Sequence, residues 1–253
     1  MKVTLLQRDI VWANPAENRH RAESIINNYN DTELFVLPEM WTTGFATKPD
    51  GIAESASSDS LLWMKQIAQK KNCAICGSIA VNDEGRFYNR FYFVMPDGNE
   101  IHYNKRHLFT YGVEHLTYTP GTSRVVVNYK DIRFLLQVCY DLRFPVWSRN
   151  RGDYDVAIYV ASWPTPRIEA WNALLKARAI ENQCYVIGVN RVGSDPQFSY
   201  SGGSIIRDAY GKAIARCEND KECEISASID METLNKFRAK FPVLNDADDF
   251  PPF

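Results

Sequence analysis

Several short runs of this chain are apolar at every position rather than at every second position. Two examples are VAIYVA at 156–161 and YVIGV at 185–189. A strand with one face in water alternates apolar and polar residues, whereas a strand covered on both faces does not. These runs therefore predict sheets that are buried on both sides.

Helical stretches alternate with the strands, and the predicted order of elements is βαβαββββαβαβββ. Residues 15–29, 58–71 and 167–181 have helical patterns, with Asn14 as the cap of the first helix. In the second helix the residues expected to face the core are Leu61, Leu62, Met64, Ile67 and Ala68. No linker or low-complexity segment divides the chain, so we predict one α/β domain over 1–253, with two packed sheets and outer helices.

Composition and charge exclude some classes of protein. The net charge of −2 and the absence of a Lys/Arg run argue against nucleic-acid binding. No apolar run approaches the roughly 18 residues that a membrane helix needs. The first residues, MKVTLLQRDIVWANP, do not resemble a signal peptide, so we expect a cytoplasmic protein whose six cysteines are thiols rather than disulfides.

A cysteine stands where one of the buried strands ends. Cys139 follows Val138 in LLQVCYDLRFP, and a carboxylate, an arginine and a proline come directly after it. A cysteine in a buried strand is commonly a core residue. At a strand-to-turn edge beside a cation, however, a thiol has what a thiolate nucleophile needs. No histidine is close in sequence, so a Cys–His pair would have to use His20, His102, His107 or His115.

Two further polar residues follow predicted strands. Glu39 ends the run FVLPE beside Trp41, where a partly desolvated carboxylate suits a general base. Lys105 follows a hairpin strand in IHYNKRHLF, where an ammonium group can stabilise an oxyanion. Each residue alone is also consistent with an exposed loop position.

Together these three residues resemble the Glu-Lys-Cys triad of the nitrilase superfamily, the carbon–nitrogen hydrolases. The motifs LPEMWTTGF, YNKRHLF and VCYDLRFP carry the triad in the family's order. The similarity continues through YDVAIYVASWP, ALLKARAIENQCYVIGVNRVG and DAYGKAIA to the tail FRAKFPVLNDADDF. The branch that the chain resembles is that of the omega-amidases, which hydrolyse the terminal amide of 2-oxoacid amides.

The resemblance implies a fold and a set of roles. The fold is a four-layer αββα sandwich of two mixed sheets with outer helices, commonly found as a homodimer. Cys139 would be the nucleophile, Glu39 the general base and then acid, and Lys105 the oxyanion stabiliser, with no metal or cofactor. Glu114 in YGVEHLTYTPG matches a second pocket glutamate that would orient the lysine, and the backbone N–H of Tyr140 would be a second oxyanion donor.

The expected substrate, a small-molecule amide of a 2-oxoacid, carries a carboxylate at the end away from the scissile amide. The pocket therefore needs a fixed cation. Arg167 opens the helix that runs to Glu181, so a bidentate guanidinium contact and the positive end of the helix would act together. We predict Arg167 and Trp163 as substrate-binding residues, although Arg167 is also consistent with a solvated first-turn residue.

Other interpretations remain open at this point. Cys73 and Cys76 in CAIC have the spacing of a redox or zinc half-site, but there is no second pair and they lie in an apolar strand. Another carbon–nitrogen hydrolase, such as a nitrilase or an N-carbamoyl hydrolase, would carry the same triad. A non-enzymatic binding protein on the same fold is the remaining alternative.

Overall fold

The computed structural model describes residues 1–248, so the last residues of the predicted domain and of the tail FRAKFPVLNDADDF lie outside the described residues. The strands are β1 (Lys2–Gln7), β2 (Leu34–Val36), β3 (Glu54–Ser55), β4 (Ala74–Asp83), β5 (Arg86–Val94), β6 (Glu100–Asn104), β7 (Val126–Tyr129), β8 (Ile132–Val138), β9 (Val156–Ala161), β10 (Tyr185–Asn190), β11 (Val192–Ser194), β12 (Ser199–Ser201), β13 (Ile205–Arg207), β14 (Ala213–Arg216) and β15 (Cys223–Ser228).

The α-helices are α1 (Pro15–Ile26), α2 (Asp59–Lys71), α3 (Pro145–Ser148), α4 (Ile168–Glu181) and α5 (Met231–Lys240). Helix α1 begins as predicted after Asn14, whose side chain accepts the N–H of Glu17, but it ends three residues before the predicted position. Arg167 is the N-cap of α4 rather than its first residue. None of the helices within residues 1–248 has the length and apolarity required to span a bilayer.

The strands form two large mixed sheets. The first has the order β15-β1-β2-β4-β5-β6, with β3 beside β4, and the second has the order β14-β13-β10-β9-β8-β7. Strands β1, β2 and β4 are parallel, as are β8, β9 and β10, while the flanking strands pair antiparallel. The predicted pair of mixed sheets is confirmed.

The two sheets pack face to face through aromatic side chains. Phe93 of β5 lies against Phe134 of β8 and against Tyr129 of β7, with ring centroids 5.6 and 5.9 Å apart. Such pairs contribute about 0.5–1.5 kcal/mol each beyond the area that they bury. The continuous apolar strands are explained by this arrangement, because each strand has one face between the sheets and the other beneath a helix.

Helices cover the outer face of each sheet. Ile26 of α1 and Met64 of α2 pack with Phe35 in one buried cluster outside the first sheet. Helix α4 covers the second sheet, and Gly188 of β10 permits the contact, because a Cβ there would lie 2.5 Å from Leu175. The predicted four-layer αββα sandwich is confirmed.

The core face of α2 differs from the prediction at one position. Leu62 is 50% exposed, and Trp63 is buried in its place. Successive residues of a helix are rotated by 100°, which places Leu62 on the side of α2 opposite the centre of its buried face. The hydrophobicity of Leu62 alone therefore did not show which way its side chain points. The other residues predicted to face the core are buried, namely Leu61, Met64, Ile67 and Ala68.

The end of the chain also differs from the predicted order. Strand β15 does not continue the sheet that contains β14 but crosses to the first sheet, where it pairs antiparallel with β1. Helix α5, absent from the predicted order, follows it. Asp230 caps this helix by accepting the N–H groups of Glu232 and Thr233, and Leu234 is its buried residue. A helix with one buried apolar residue has a weak hydrophobic period, which explains why the sequence did not predict α5. The N-cap Asp230 is the signal from which its start could have been predicted.

The carboxyl ends of β2, β6, β8 and β9 meet at one edge of the sandwich. Glu39, Lys105, Cys139 and Ser162 follow these strands within three residues. Hydrogen bonds join Glu39 to both Lys105 and Ser162, so the two sheets contribute to one site. Ligands of open α/β sheets bind at this edge, where loops rather than helices cover the strands.

Candidate active site

Cys139 lies in a strained turn at the end of β8. Its φ of +46° is in the left-handed region, which costs a non-glycine residue roughly 1–3 kcal/mol. The residue begins a 3-10 turn that ends at Arg143, and it is 8% exposed. The N–H of Tyr140 lies in the first turn, where backbone donors have no partner within the helix. The strain and the available donor are both features of functional turns.

The Asp141 carboxylate ties this turn to the end of β6. One oxygen accepts the N–H of Val138 at 2.9 Å and the hydroxyl of Tyr103 at 2.8 Å. The other oxygen accepts the N–H of His107 at 3.0 Å and lies 2.8 Å from the ring Nδ1 of the same residue. The two strand ends are therefore fixed to each other, which explains why charge follows Cys139 directly in the sequence.

Glu39, Lys105, Glu114 and Asn89 form a fully buried hydrogen-bonded group, here called the carboxylate cluster. The Lys105 ammonium donates to Glu39 Oε1 at 2.9 Å and to Glu114 Oε2 at 2.9 Å. Asn89 Nδ2 donates to the Oε1 atoms of Glu39 and Glu114 at 2.7 and 3.1 Å. The other oxygen of Glu39 accepts the N–H of Ser162 at 2.7 Å. A single ammonium group thus serves two carboxylates.

Burial and neighbouring charges set the protonation of these groups. Burial alone would lower the pKa of Lys105, but Glu114 and Glu39 outweigh it and hold that pKa well above its usual range. Burial raises the pKa of Glu114, and the charge of Glu39 adds to this effect against that of Lys105. Burial also raises the pKa of the Cys139 thiol, as do the charge and hydrogen bond of Glu39. The resting cysteine is therefore a neutral thiol that needs a base.

A small pocket adjoins Cys139. Its volume is about 20 Å³, which holds little more than one water molecule. Side chains at the rim must therefore move to admit a substrate, and Tyr111 beside the rim is 77% exposed. The lining residues are Phe45, Phe109, Cys139, Tyr140, Arg143, Ser162, Trp163, Pro164 and Arg167.

Two arginines line this pocket. The Arg167 guanidinium carbon lies 5.3 Å from the ring centre of Phe109 and 5.8 Å from that of Phe198. One of its terminal nitrogens, Nη2, is buried and has no hydrogen-bond partner within residues 1–248. Arg143 lies 5.0 Å from the ring of Trp163, whose indole N–H donates to the Arg167 carbonyl oxygen at 2.7 Å. A buried donor without a partner is costly unless a ligand supplies an acceptor.

The structure brings all the predicted site residues to this edge. Glu39, Lys105 and Glu114 lie in the carboxylate cluster, and Cys139 lies beside it. The remaining predicted residues, Tyr140, Trp163 and Arg167, line the same pocket as Cys139.

Three residues of the site were not predicted from the sequence. Ser162 directly follows the apolar run VAIYVA, so the rule that located Cys139 and Glu39 would have found it. For Arg143 the sequence indicates only a cation near Cys139, not a residue that lines a pocket. Asn89 lies inside the aromatic strand RFYNRFYF and carries no local signal, because its role depends on pairing with other strands.

The CAIC segment does not form a second site. Cys73 lies in the cluster between the first sheet and its helices, whereas Cys76 lies in the cluster between the sheets. Burial raises the pKa of Cys73 to about 11 and that of Cys76 well above its usual range. Among residues 1–248 there is no group of three or more His, Cys, Asp and Glu residues suited to a metal ion. Both thiols are core residues.

Two mixed sheets between helical layers, with a cysteine, a lysine and two glutamates buried at one edge, define a hydrolase fold of the nitrilase superfamily. The chain belongs to the carbon–nitrogen hydrolase family, whose sequence profile matches residues 2–239. It is therefore a hydrolase that acts on carbon–nitrogen bonds.

Individual relatives are similar over nearly the whole chain. An omega-amidase, YafV of Escherichia coli K12, is 45% identical over 99% of this chain and 98% of its own length. A 2-oxoglutaramate amidase of Bacillus subtilis is 35% identical over 96% of each chain. The crystal structure of XC1258 from Xanthomonas campestris, a CN-hydrolase superfamily protein with an arsenic adduct in its active site, has a TM-score of 0.97 and 38% identity, covering 100% of this chain and 99% of that one.

Proposed function

We propose that this protein is an omega-amidase that hydrolyses the terminal amide of a small 2-oxoacid amide, such as 2-oxoglutaramate or 2-oxosuccinamate. The products are the 2-oxo-dicarboxylate and ammonia. The observation that carries the proposal is a neutral thiol, Cys139, placed between the carboxylate cluster and a pocket. That pocket holds a buried guanidinium nitrogen of Arg167 that has no hydrogen-bond partner among the described residues. The activities named for the relatives above support this substrate class.

The first half-reaction forms a thioester. Glu39 accepts the proton of Cys139, and the sulfur attacks the amide carbon, so the carbonyl π electrons move to oxygen. The Lys105 ammonium and the N–H of Tyr140 stabilise that oxyanion. Glu39 then gives its proton to the amide nitrogen, the carbon–nitrogen bond breaks and ammonia leaves.

The second half-reaction releases the acid. A water molecule gives a proton to Glu39 and attacks the thioester carbon. The carbon–sulfur bond then breaks and the sulfur regains a proton from Glu39, which restores the starting state. Glu114 holds the other side of the Lys105 ammonium throughout and keeps it directed at the reacting oxygen.

The two arginines of the pocket bind the end of the substrate that carries the carboxylate. Nη2 of Arg167 has no protein partner within the described residues and can donate to the substrate carboxylate. Arg143, in the same pocket, adds a second positive charge that favours a 2-oxoacid over an amino acid, whose ammonium group it would repel. We assign both residues, with Trp163 between them, to substrate binding.

We further propose that residues 1–253 form one domain and that the protein is a cytoplasmic homodimer. The resemblance to the nitrilase superfamily supports the dimer, which sedimentation of the purified protein would test. A reducing compartment suits a protein that needs a free Cys139 thiol and whose other cysteines are also free.

Ammonia release from a panel of compounds tests the activity. The panel contains 2-oxoglutaramate, glutamine, a nitrile of similar length and an N-carbamoyl amino acid. We expect kcat/KM to be highest for 2-oxoglutaramate. Preference for the nitrile or the N-carbamoyl compound would assign the protein to another activity of the family. No turnover of any compound, with Cys139 inert to iodoacetamide, would indicate a binding protein.

A further inference from the structure

Asn89 contacts both carboxylates of the cluster with the two hydrogens of one amide group. Its Nδ2 lies 2.7 Å from Glu39 Oε1 and 3.1 Å from Glu114 Oε1. Its Oδ1 is buried and has no hydrogen-bond partner within residues 1–248. The opposite amide orientation would place Oδ1 against two carboxylate oxygens, so the surrounding charges determine the orientation. A buried acceptor without a partner requires an explanation.

The charge balance of the cluster supplies that explanation. With both glutamates ionised, Lys105 neutralises one negative charge and leaves a second one buried. Burial raises the pKa of Glu114, and the charge of Glu39 adds to this effect. Hydrogen bonds to the charged form of a carboxyl group favour ionisation. The two Nδ2 hydrogens of Asn89 act in this direction on both members of the pair.

We propose that Asn89 is a positioning residue that keeps the Glu39–Glu114 pair ionised and holds Glu39 in place to accept the proton of Cys139. It acts through its hydrogen bonds to the two glutamates. Because both amide hydrogens are donated to the acids, Oδ1 points away from them and has no hydrogen-bond partner in the described part of the chain. This inference rests on the proposed function, because it requires Glu39 as the general base.

Four other titratable groups face the two glutamates. They are Lys105, Cys139, Tyr118 and Tyr200. The two glutamates hold the pKa of Lys105 high, and burial raises the pKa of Cys139, Tyr118 and Tyr200. None of the four therefore changes charge on the acidic side of neutrality. The His107–Asp141 contact beside Cys139 is present in every protein compared below, so a limb that moves in the Asn89 variants reports the carboxylate pair.

The test compares Asn89→Leu and Asn89→Ala with a matched control, Asn182→Leu. Asn182 is equally buried but lies at the end of α4, where it accepts the N–H of Asn150 and donates to the Arg178 carbonyl oxygen rather than to the carboxylate cluster. We expect the acidic limb of kcat/KM to move to higher pH in Asn89→Leu by about one unit. The shift is smaller in Asn89→Ala, where water can enter and donate in place of the amide. Asn182→Leu leaves the limb in place.

A second readout separates this inference from the proposed function. The rate at which iodoacetamide alkylates Cys139 in the absence of substrate also depends on Glu39 accepting the thiol proton. The alkylation profile is expected to shift as the activity profile does. If the unsubstituted protein hydrolyses no amide, the proposed activity fails while alkylation still tests Asn89.

The role of Asn89 is contradicted if folded Asn89→Leu keeps the original limb in both assays. It is equally contradicted if the variant loses rate by the same factor at every pH, as a merely structural residue would. Thermal unfolding establishes which variants fold. Should Asn89→Leu fail to fold, the limb of Asn89→Ala decides: a shift to higher pH supports the role, and an unchanged limb overturns it.

Discussion

Two groups of charges, each built around a buried carboxylate, lie at opposite ends of β9 and have opposite balances of charge. At the amino end, Asp155 accepts hydrogen bonds from Arg133 at 2.7 and 2.9 Å and from Arg238 at 2.7 Å, and we call this group the Asp155 cluster. Burial alone would raise the pKa of Asp155, but the hydrogen bonds from the two arginines outweigh it and hold that pKa below its usual range. The lowered pKa keeps the Asp155 carboxylate ionised at neutral pH.

At the carboxyl end the carboxylate cluster has two acids and one ammonium group. Here burial raises the pKa of Glu114, and the Cys139 thiol beside it stays protonated. An excess of cations fixes an acid and stabilises the fold, whereas an excess of acids leaves a site that can take up and return a proton. The difference teaches that charge balance, rather than burial, separates the catalytic end of the sheet from the structural end.

The largest expected effect is on amide hydrolysis, and it should differ between the two buried thiols that lie at these two ends of β9. Cys139→Ala is expected to abolish amide hydrolysis and to leave the fold intact, because it removes the nucleophile and little packing. Cys184→Ala, next to the Asp155 cluster, is the matched control. Cys184 is fully buried, and its thiol donates to the Arg178 carbonyl oxygen, whereas the Cys139 thiol faces Glu39, so the loss of Cys184 should leave kcat unchanged. Ammonia release by both variants checks this, and appreciable turnover by Cys139→Ala would refute the nucleophile assignment.

The next effect compares the acids themselves. Glu39→Gln keeps the shape of the side chain but removes the base, so kcat should fall by about 10²–10⁴-fold with little change in thermal stability. Asp155→Asn should leave kcat near normal and lower the free energy of unfolding by about 1–2 kcal/mol. The loss is kept this small because Arg133, one of the two partners, is partly exposed to solvent. Kinetics and denaturant unfolding on both variants test the contrast. An equal fall of kcat in Glu39→Gln and Asp155→Asn would contradict the distinction between a catalytic end and a structural end of the sheet.

A selective effect is expected at the pocket. Arg167→Ala should lower kcat/KM for 2-oxoglutaramate roughly 10–100-fold more than for a neutral amide of similar length, the range of a hydrogen bond to a charged group. Arg167→Lys should recover only part, because an ammonium lacks the planar fork. Steady-state kinetics on both substrates measures the ratio. Equal losses on both amides would leave the carboxylate's partner unidentified.

The smallest effect concerns stability at acidic pH. Because the folded pKa of Asp155 is lowered, the unfolded chain binds this proton first, and the contribution of Asp155 is present above its unfolded value of about 3.9. The contribution is lost as pH falls through the lower folded value. Asp155→Asn should therefore flatten the fall in unfolding free energy below about pH 4. Urea titrations at several pH values test this, and parallel curves for the two proteins would contradict it.

The sequence predicted the layers and three strand-end residues of the site better than it predicted the details of pairing. Apolar runs and strand-end polar residues are local signals, and they located Glu39, Lys105 and Cys139 before any geometry was known. Strand β15 could extend either the first sheet beside β1 or the second sheet beside β14, and no local sequence pattern distinguishes these two edges. Asn89 was missed for a related reason, since its contacts to Glu39 and Glu114 join residues far apart in the chain.

The central claim is that Cys139 forms a covalent acyl intermediate at the end of the sheet where acids are in excess. The direct measurement is peptide mass spectrometry after acid quenching during turnover of 2-oxoglutaramate. The account predicts that the peptide containing Cys139 carries the acyl group as a thioester, that the adduct decays once substrate is exhausted, and that it is absent from Cys139→Ala. An acyl group on a different residue, or continued turnover without Cys139, would contradict the account.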